Sequence, residues 1–406
     1  MTVETAVVDP DLEFIRLLDE GSGHMLKRCF QCGTCSATCD LSPDTSPFPR
    51  KEMAWAAWGM KERLLNDPDV WLCYQCNDCS VRCPRGARPG DVLAMVRREA
   101  IVYHAFPAFV GRWASQPAAI PLLLGIPAAL LTLALLVRDP IQQALGWAPA
   151  VGTPILYAYS RMFPRWLLNG VFLAFTLLAL GLLAGGVARL WRSMGRLHGA
   201  GGPSRRARGL VGSVTSVVAS VLMHDRFVKC TESRSRYWSH LAVFFGFLAL
   251  SLVTIWVISA PYNPLVRGAF IYPFAFLSPW KVLANLGGIA LLGGCFLMIW
   301  DRMRERDHAS VSTFGDWALI GTLILVVFTG FATEVLHYIR LEPHRHLAYF
   351  AHLVFVGALL LYLPYSKLAH AVYRTTALVA AEYFGRTRGG GRPSPEMAGT
   401  AADNAR

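Results

Sequence analysis

The chain has 406 residues, of which 54% are apolar and only 16% charged, with a formal net charge of +12. So greasy a composition excludes a single soluble globule of this size. The basic excess does not mark a nucleic-acid binder. Residues 1–116 carry 13 Lys/Arg against 15 Asp/Glu, and the surplus, 26 against 12, lies in the apolar remainder.

Residues 1–28 read as a polar, acidic lead-in with a short amphipathic helix near Leu12–Leu18. Two copies of one cysteine pattern follow, 44 residues apart: Cys29, Cys32, Cys35, Cys39 and Cys73, Cys76, Cys79, Cys83. Each is C-x2-C-x2-C-x3-C. Pro84 completes the second, whereas Asp40 stands where the first would have proline. Such a run gives three thiolates from one tight loop to an iron–sulfur cube, while its fourth cysteine ligates the neighbouring cube. The expected sets are Cys29, Cys32, Cys35 and Cys83 for one 4Fe–4S cluster, and Cys73, Cys76, Cys79 and Cys39 for the other. Structural zinc takes four ligands, usually as two separated pairs, and has no use for the third cysteine of each run. Disulfides belong to oxidising compartments, and the charge pattern places this segment in the cytoplasm. Between the runs, Met53, Ala57, Met60 and Leu64 recur at helical spacing and predict a helix over Arg50–Leu65. Asp91–Tyr103, opened by Pro89-Gly90, predicts another. Residues 1–116 therefore read as an α-helical ferredoxin-like domain.

Six long apolar runs follow: Ala118–Val137, Trp166–Ala188, Leu241–Ala260, Val282–Trp300, Trp317–Val335 and Leu347–Ala369. Each is near the roughly 20 residues that cross a bilayer as a helix. The last is the least clean, because it contains His352 and Lys367. The first starts too far from the N-terminus for a cleavable signal. The expected fold is all-α, with a six-helix membrane domain over 117–380 and a disordered tail over 381–406. Loops 189–239 and 301–316 and the tail after His370 hold eighteen Lys/Arg, against seven in the alternate loops. The positive-inside rule then puts both termini and the cysteine domain on the cytoplasmic side of a cell inner membrane. Val211–Met223 is apolar at Val214, Val217, Val218, Val221 and Leu222. Too short to cross, it reads as a helix lying on the membrane face behind Arg205, Arg206 and Arg208. Tandem glycines at Gly185-Gly186, Gly287-Gly288 and Gly293-Gly294 predict close helix packing.

Imidazoles inside spanning helices need a reason. His352 and His370 stand 18 residues apart on the predicted last span. That is five full turns, so both would project from one face about 27 Å apart, close to the hydrocarbon thickness. One helix would then offer a haem ligand near each membrane surface. His240 opens the third span on the side where His370 closes the sixth, and the two can clamp one haem b. The partner of His352 must lie near the outer surface, where the fifth span ends at His337. His224 follows the short amphipathic helix and falls near the inner haem or a quinone. A lone histidine at a helix end is more often a solvated group, and His24, His104, His198, His308, His344 and His346 take that reading. Cys230 and Cys295 read as buried or unused thiols. Glu334 is read as an interfacial partner of Arg340, with quinone proton transfer as the alternative.

These residues resemble known families. The segment HLVFVGALLLYLPYSKLAH, from His352, resembles the final helix of the respiratory nitrate reductase gamma subunit, a dihaem quinol-oxidising cytochrome b. His240 in SHLAVFFGF matches the first histidine of that family's second helix. The second histidine, expected ten residues later, is Leu250 here, so the outer haem would be ligated differently. The N-terminal region resembles the iron–sulfur C subunit of heterodisulfide reductase, and the membrane region resembles that enzyme's cytochrome subunit. FPRKEMAWAAWG and DVWLCYQCNDCSVRCPRGARPGDVL are similar to the C subunit of quinone-interacting membrane-bound oxidoreductases, where both parts are fused. That resemblance implies two heterodisulfide-reductase-A-like flavoprotein partners. It also implies electron exchange between menaquinone and adenylylsulfate reductase in dissimilatory sulfur metabolism.

With no G-x-G-x-x-G fingerprint and no P-loop, the chain lacks the usual means of holding a nicotinamide or flavin. The expected function is a membrane electron-transfer subunit working between quinone and a cytoplasmic oxidoreductase, with the substrate chemistry on partner subunits. The alternatives are a haem-free iron–sulfur anchor, or the equivalent component of a heterodisulfide-reductase-like or sulfite-reductase-linked complex.

Overall fold

The structure is a computed structural model that describes residues 9–43, 47–147, 158–199, 209–225, 234–267, 270, 272–304 and 311–385. Most of the 381–406 tail, Arg205, Arg206, Arg208, Cys230 and His308 lie outside the described residues. Every regular element among them is helical. The first seven helices are α1 (Leu12–Gly21), α2 (Thr34–Ala37), α3 (Arg50–Ala57), α4 (Lys61–Leu65), α5 (Asp69–Leu72), α6 (Asp78–Val81) and α7 (Pro89–His104). Next come α8 (Ala108–Ala114), α9 (Ile120–Ala144), α10 (Arg165–Gly199) and α11 (Leu210–Met223). The last are α12 (Arg234–Ser259), α13 (Pro279–Arg304), α14 (Phe314–Tyr338), α15 (His344–Leu361) and α16 (His370–Tyr383). The chain forms two compact units. One gathers Met1–His104, Gly186–Arg234 and His370–Arg406, and the other Ala105–Gly185 and Ser235–Ala369.

In the first unit, Asp11 caps α1 by accepting the amide of Phe14 at 2.8 Å, and Phe14 and Leu18 point inward. The helix expected over Arg50–Leu65 is broken into α3 and α4. Gly59 takes a φ of 65° between them. A Cβ there would lie 2.8 Å from the Asp11 amide nitrogen and 2.9 Å from its carbonyl oxygen. Only glycine fits where the chain turns against the start of α1, and the helical periodicity of the flanking apolar residues concealed this. The core around the second cysteine run joins Phe48, Leu72, Cys73 and Leu93 to Val217 of α11 and Leu378, Val379 and Ala381 of α16. Residues more than 300 positions apart thus share one apolar cluster. The stripe expected on α11 is split: Val217 and Val221 face this core, whereas Val214, Val218 and Leu222 are exposed.

Six of the described helices are long and apolar enough to cross a bilayer, and they mark a membrane protein. The first five predicted spans lie inside them. In the second unit, Leu131 and Ala134 of α9 pack with Phe163, Leu167, Leu353 and Val354, and Leu291 and Cys295 of α13 pack with Ile320, Leu323 and Val327 of α14. Glycine lets α12 and α13 touch backbone to backbone. A Cβ on Gly246 would lie 2.6 Å from the Gly287 carbonyl, and one on Gly294 would lie 2.7 Å from that of Ser239. Gly293 meets nothing within 4 Å, so that tandem pair packs through one member only.

The sixth span departs from expectation. α15 ends at Leu361, and 3-10 turns over Leu363–Tyr365 and Lys367–Ala369 precede α16. Pro364 explains the break, since it has no amide to donate and its ring opposes the carbonyl four residues earlier. Tyr365 fixes the turn by donating to the Phe106 carbonyl at 2.7 Å. Lys367 pairs with Asp316, which also closes a capping box with Thr313 at the start of α14. His352 and His370 therefore do not share one continuous helix, and the same-face argument for the pair falls away.

Candidate metal centre

The two cysteine runs adopt one loop geometry twice. Gln31 and Gln75 have φ of 58° and 54°, and Gly33 and Asn77 follow at 86° and 73°. Two left-handed residues bracketing the middle cysteine curl each loop, so that its three thiols converge before α2 and α6 begin. The repeat of glutamine and then Gly/Asn at matched positions was readable in the sequence, though its backbone meaning was not.

Two pockets result. One, of about 340 Å³, is lined by Cys29, Cys32, Cys35 and Cys83 together with Phe30, Arg50 and Arg85. The other, of about 420 Å³, is lined by Cys39, Cys73, Cys76 and Cys79 together with Phe48, Pro49 and Tyr74. Each pocket thus holds the four cysteines of one predicted set, three from one loop and the fourth from the end of the other. Four thiols per pocket fit the four corners of an iron–sulfur cube. Backbone amides also point at sulfur, from Gln75 to Cys73 Sγ at 3.3 Å and from Ala87 to Cys83 Sγ at 3.4 Å. Such donors stabilise charge on a ligating thiolate.

Burial pushes the Cys35 thiol up to about 11 and the Cys39 thiol to about 12. It raises Cys79 as well, with Cys73 and Cys76 adding to the effect. Cys32 is lowered, because the Thr34 hydroxyl and amide stabilise its thiolate. Burial raises the Cys29 thiol too, and a bound metal would displace the protons of such raised thiols.

The surroundings of the two pockets differ. At the first, Cys32 and Phe30 are exposed, and the Arg85 guanidinium sits 4.0 Å over the Phe30 ring. At the second, Arg374 of α16 donates from Nε to the Trp71 carbonyl at 3.0 Å and from Nη2 to the Cys73 carbonyl. Its guanidinium lies 4.1 Å over the Tyr74 ring, and Tyr373 stacks on Trp71 at 6.1 Å. Neither Tyr373 nor Arg374 stood out in the sequence. The available signal was a lone basic residue in the first turns of an otherwise uncharged stretch.

A third polar cluster is structural. Lys51 Nζ reaches Glu52 at 3.2 Å, Asp67 at 2.9 Å and Asp69 at 2.6 Å, all three carboxylates being buried. The ammonium already supplies the cation. Burial, with Asp67 and Asp69 alongside, pushes Glu52 up to about 8.

The five histidines expected to serve haem belong to five different elements. His352 Nδ1 is 3.0 Å from the Val326 carbonyl and 3.2 Å from Thr329 Oγ1, and its ring packs over Gly330. His337 lies beside Tyr159, with ring centroids 5.6 Å apart. It is seven residues beyond Gly330 on α14, roughly 11 Å along the helix axis, so the structure does not bring it to His352. His240 stacks on Phe244 within α12. His370 opens α16, and His224 caps the end of α11 in a left-handed conformation. Of the histidines read as ordinary, His104 is buried with Nε2 3.3 Å from the Leu65 carbonyl. Glu334 does not pair with Arg340. It binds Lys281 at 2.9 Å and Asn285 at 3.3 Å, because α13 packs alongside while Arg340 lies in the turn after α14.

Comparison with known proteins adds the family. Residues 114–391 match the family described as Citrate utilization protein B, and residues 25–87 match the 4Fe-4S dicluster domain. The chain belongs to the citrate utilization protein B family. It is 28% identical to Citrate utilization protein B of Escherichia coli over 329 residues, covering 76% of this chain and 80% of that protein. The cysteine segment is 37% identical over 90 residues to the C subunit of the H(2):CoB-CoM heterodisulfide,ferredoxin reductase of Methanothermobacter marburgensis, covering 22% of this chain and 49% of that protein. A protein of Archaeoglobus profundus, itself described as like the C subunit of heterodisulfide reductase, is 34% identical over 83 residues, 20% and 44% of the two chains. The chain spans about half the length of these heterodisulfide reductase relatives. No solved structure matches it. Family, dicluster domain and apolar helices together identify an iron–sulfur electron-transfer subunit in a membrane protein.

Proposed function

We propose that the chain carries single electrons between a quinone in the bilayer and a soluble oxidoreductase on the cytoplasmic side, using two 4Fe–4S clusters and b haems. The reading rests on one observation above all: eight cysteines gathered four to a pocket, in the same chain as six helices fit to cross a membrane. Cys29, Cys32, Cys35 and Cys83 hold one cube, and Cys73, Cys76, Cys79 and Cys39 the other. Clusters take one electron at a time, whereas quinone takes two with two protons, so the chain divides the charge. The cytoplasmic placement of the cluster domain follows from the eighteen-to-seven bias of basic residues, and the exposed stripe of α11 faces lipid headgroups.

His352 supports the haem reading. An acceptor carbonyl at Nδ1 holds the ring proton there and leaves Nε2 a lone pair, as an iron-ligating imidazole needs. His240 and His370 each stay a candidate ligand for an inner haem, His224 a candidate for that haem or for quinone, and His337 a candidate at the outer end. Haem, when bound, supplies a one-electron iron couple in the apolar bundle.

For the soluble partner, the relatives of the cysteine domain favour a heterodisulfide-reductase-like assembly with flavoprotein subunits. The family match over the membrane part favours a second reading, in which the partner serves citrate utilisation. The adenylylsulfate reductase link rests on the resemblance of the quoted segments alone. Anaerobic purification tests the scheme. About eight irons and eight acid-labile sulfides per chain are expected beside low-spin b-haem bands. Clusters without porphyrin would reduce the chain to an iron–sulfur anchor, and the co-purifying proteins identify the partner.

A further inference from the structure

The formal charge of residues 1–116 conceals a basic face. Asp19, Glu52, Asp67, Asp69, Asp78 and Asp91 are all buried. Lys27 and Arg88 form salt bridges with Asp19 and Asp91, and Lys51 is shared by Asp67 and Asp69. Arg28, Arg50, Arg82 and Arg85 are exposed, and none forms a salt bridge among the described residues. These arginines gather at the first pocket. Arg50 and Arg85 line it, Arg28 Nη1 lies 3.9 Å from the Cβ position of Gly86, and Arg82 adjoins Cys83. At their centre stand Phe30, 67% exposed, and the exposed thiol of Cys32. The second pocket is different, because Arg374 and Tyr373 of α16 already pack on its loop.

We infer that the rim of the first cysteine pocket is the docking face for a soluble redox protein whose own cofactor edge is ringed by carboxylates. The inference rests on the cluster reading above and adds the partner's surface chemistry. Arginines without salt-bridge partners around a redox centre steer an acidic protein into register. An aromatic side chain beneath a guanidinium is the kind of anchor that dominates interface energies. An anionic lipid surface has the same charge chemistry but makes no use of a redox ligand at the centre of the patch.

The test is stopped-flow reduction of the oxidised, full-length chain in detergent. The electron donors are the hydroquinone of an acidic flavodoxin and, as a cationic control, reduced methyl viologen. The flavodoxin rate should fall at least about tenfold between about 20 and 500 mM salt. Arg28→Glu with Arg82→Glu should lower it about tenfold at low salt while changing the viologen rate less than about twofold. If the reversal costs a cluster, seen by EPR, the neutral Arg28→Gln/Arg82→Gln pair carries the same test. A flavodoxin rate indifferent to salt, or an equal slowing with both donors, overturns the docking face. So does abolition of the rate by phosphatidylglycerol vesicles that bind the parent chain and not the variant, which would give the patch to the membrane. A parent chain with no cluster signal defeats the cluster reading instead.

Discussion

Arg374→Gln isolates one positive charge at the second pocket. The guanidinium is held by the Cys73 carbonyl, and covalent geometry then puts it roughly 7 Å from the same residue's thiolate. At an effective dielectric of about 20, a unit charge at that distance is worth about 2 kcal/mol. That corresponds to nearly 100 mV for a one-electron couple, at about 59 mV per 1.4 kcal/mol. Arg374 is only half-buried, so solvent screening brings the expectation to roughly 50–100 mV. Removing a cation disfavours the reduced, more negative cluster, so the midpoint potential must move down. The substitution also costs charge-assisted hydrogen bonds to Trp71 and Cys73, about 2–4 kcal/mol together. EPR-monitored redox titration of the full chain should show one cluster shifting and the other fixed. Arg374→Lys keeps the charge without the planar fork, and should recover most of the potential but not all of the stability. Equal shifts of both clusters, no shift in either, or identical behaviour of the Gln and Lys variants would refute the argument.

Crossed ligation predicts which cluster each distal cysteine controls. Cys83→Ser should weaken the cluster shared with Cys29, Cys32 and Cys35, and Cys39→Ser the other, as separable EPR losses. The opposite pairing would show that each run holds its own cube. Lys51→Met leaves Glu52, Asp67 and Asp69 buried without their cation, and should cost about 3–5 kcal/mol in chemical denaturation. A loss below about 1 kcal/mol would mean the carboxylates are wetter than they look. His104 is pushed down to about 4 by burial, so it stays neutral when folded and takes a proton when unfolded. Its contribution is complete above about 6.5 and is lost as pH falls towards 4, up to about 3 kcal/mol. Denaturation curves over that range should be steeper in pH for the parent than for His104→Gln, and matching slopes would discard this account.

How far the sequence was legible follows the range of the interactions. The cysteine runs carry their spacing within a dozen residues each, so the residues that line the two pockets, four cysteines apiece, could be picked out locally. Five spans could be bounded by hydrophobic length alone, because a bilayer-sized apolar run has few other uses. The sixth defeated that rule: its hydropathy continues through Pro364, while its backbone does not. The break at Gly59 was hidden for a related reason, since the close approach of Asp11 comes from a residue 48 positions away. Least legible was α16: the expected sixth span closes at His370, and the residues after it read only as a basic tail. Nothing local to Tyr373 or Arg374 announces a contact with Trp71 and Cys73, 301 residues away for the Arg374–Cys73 bond.

That distant contact gives the paired pockets a direction. The first is open at Cys32 and Phe30 and ringed by arginine, whereas the second is packed by a helix whose first residue is His370. Within the first unit, the chain from a candidate haem ligand to the loop of a candidate cluster is four residues long, from His370 to Arg374, followed by a hydrogen bond to the Cys73 carbonyl. Electron transfer favours short, well-packed covalent and hydrogen-bonded routes, and under the proposed function this would be one. An exposed, charge-steered end for a transient partner and a closed, hydrogen-bonded end for a resident neighbour are different requirements. Under the proposed docking, two near-identical cysteine loops would meet both because residues outside the two loops dress them differently.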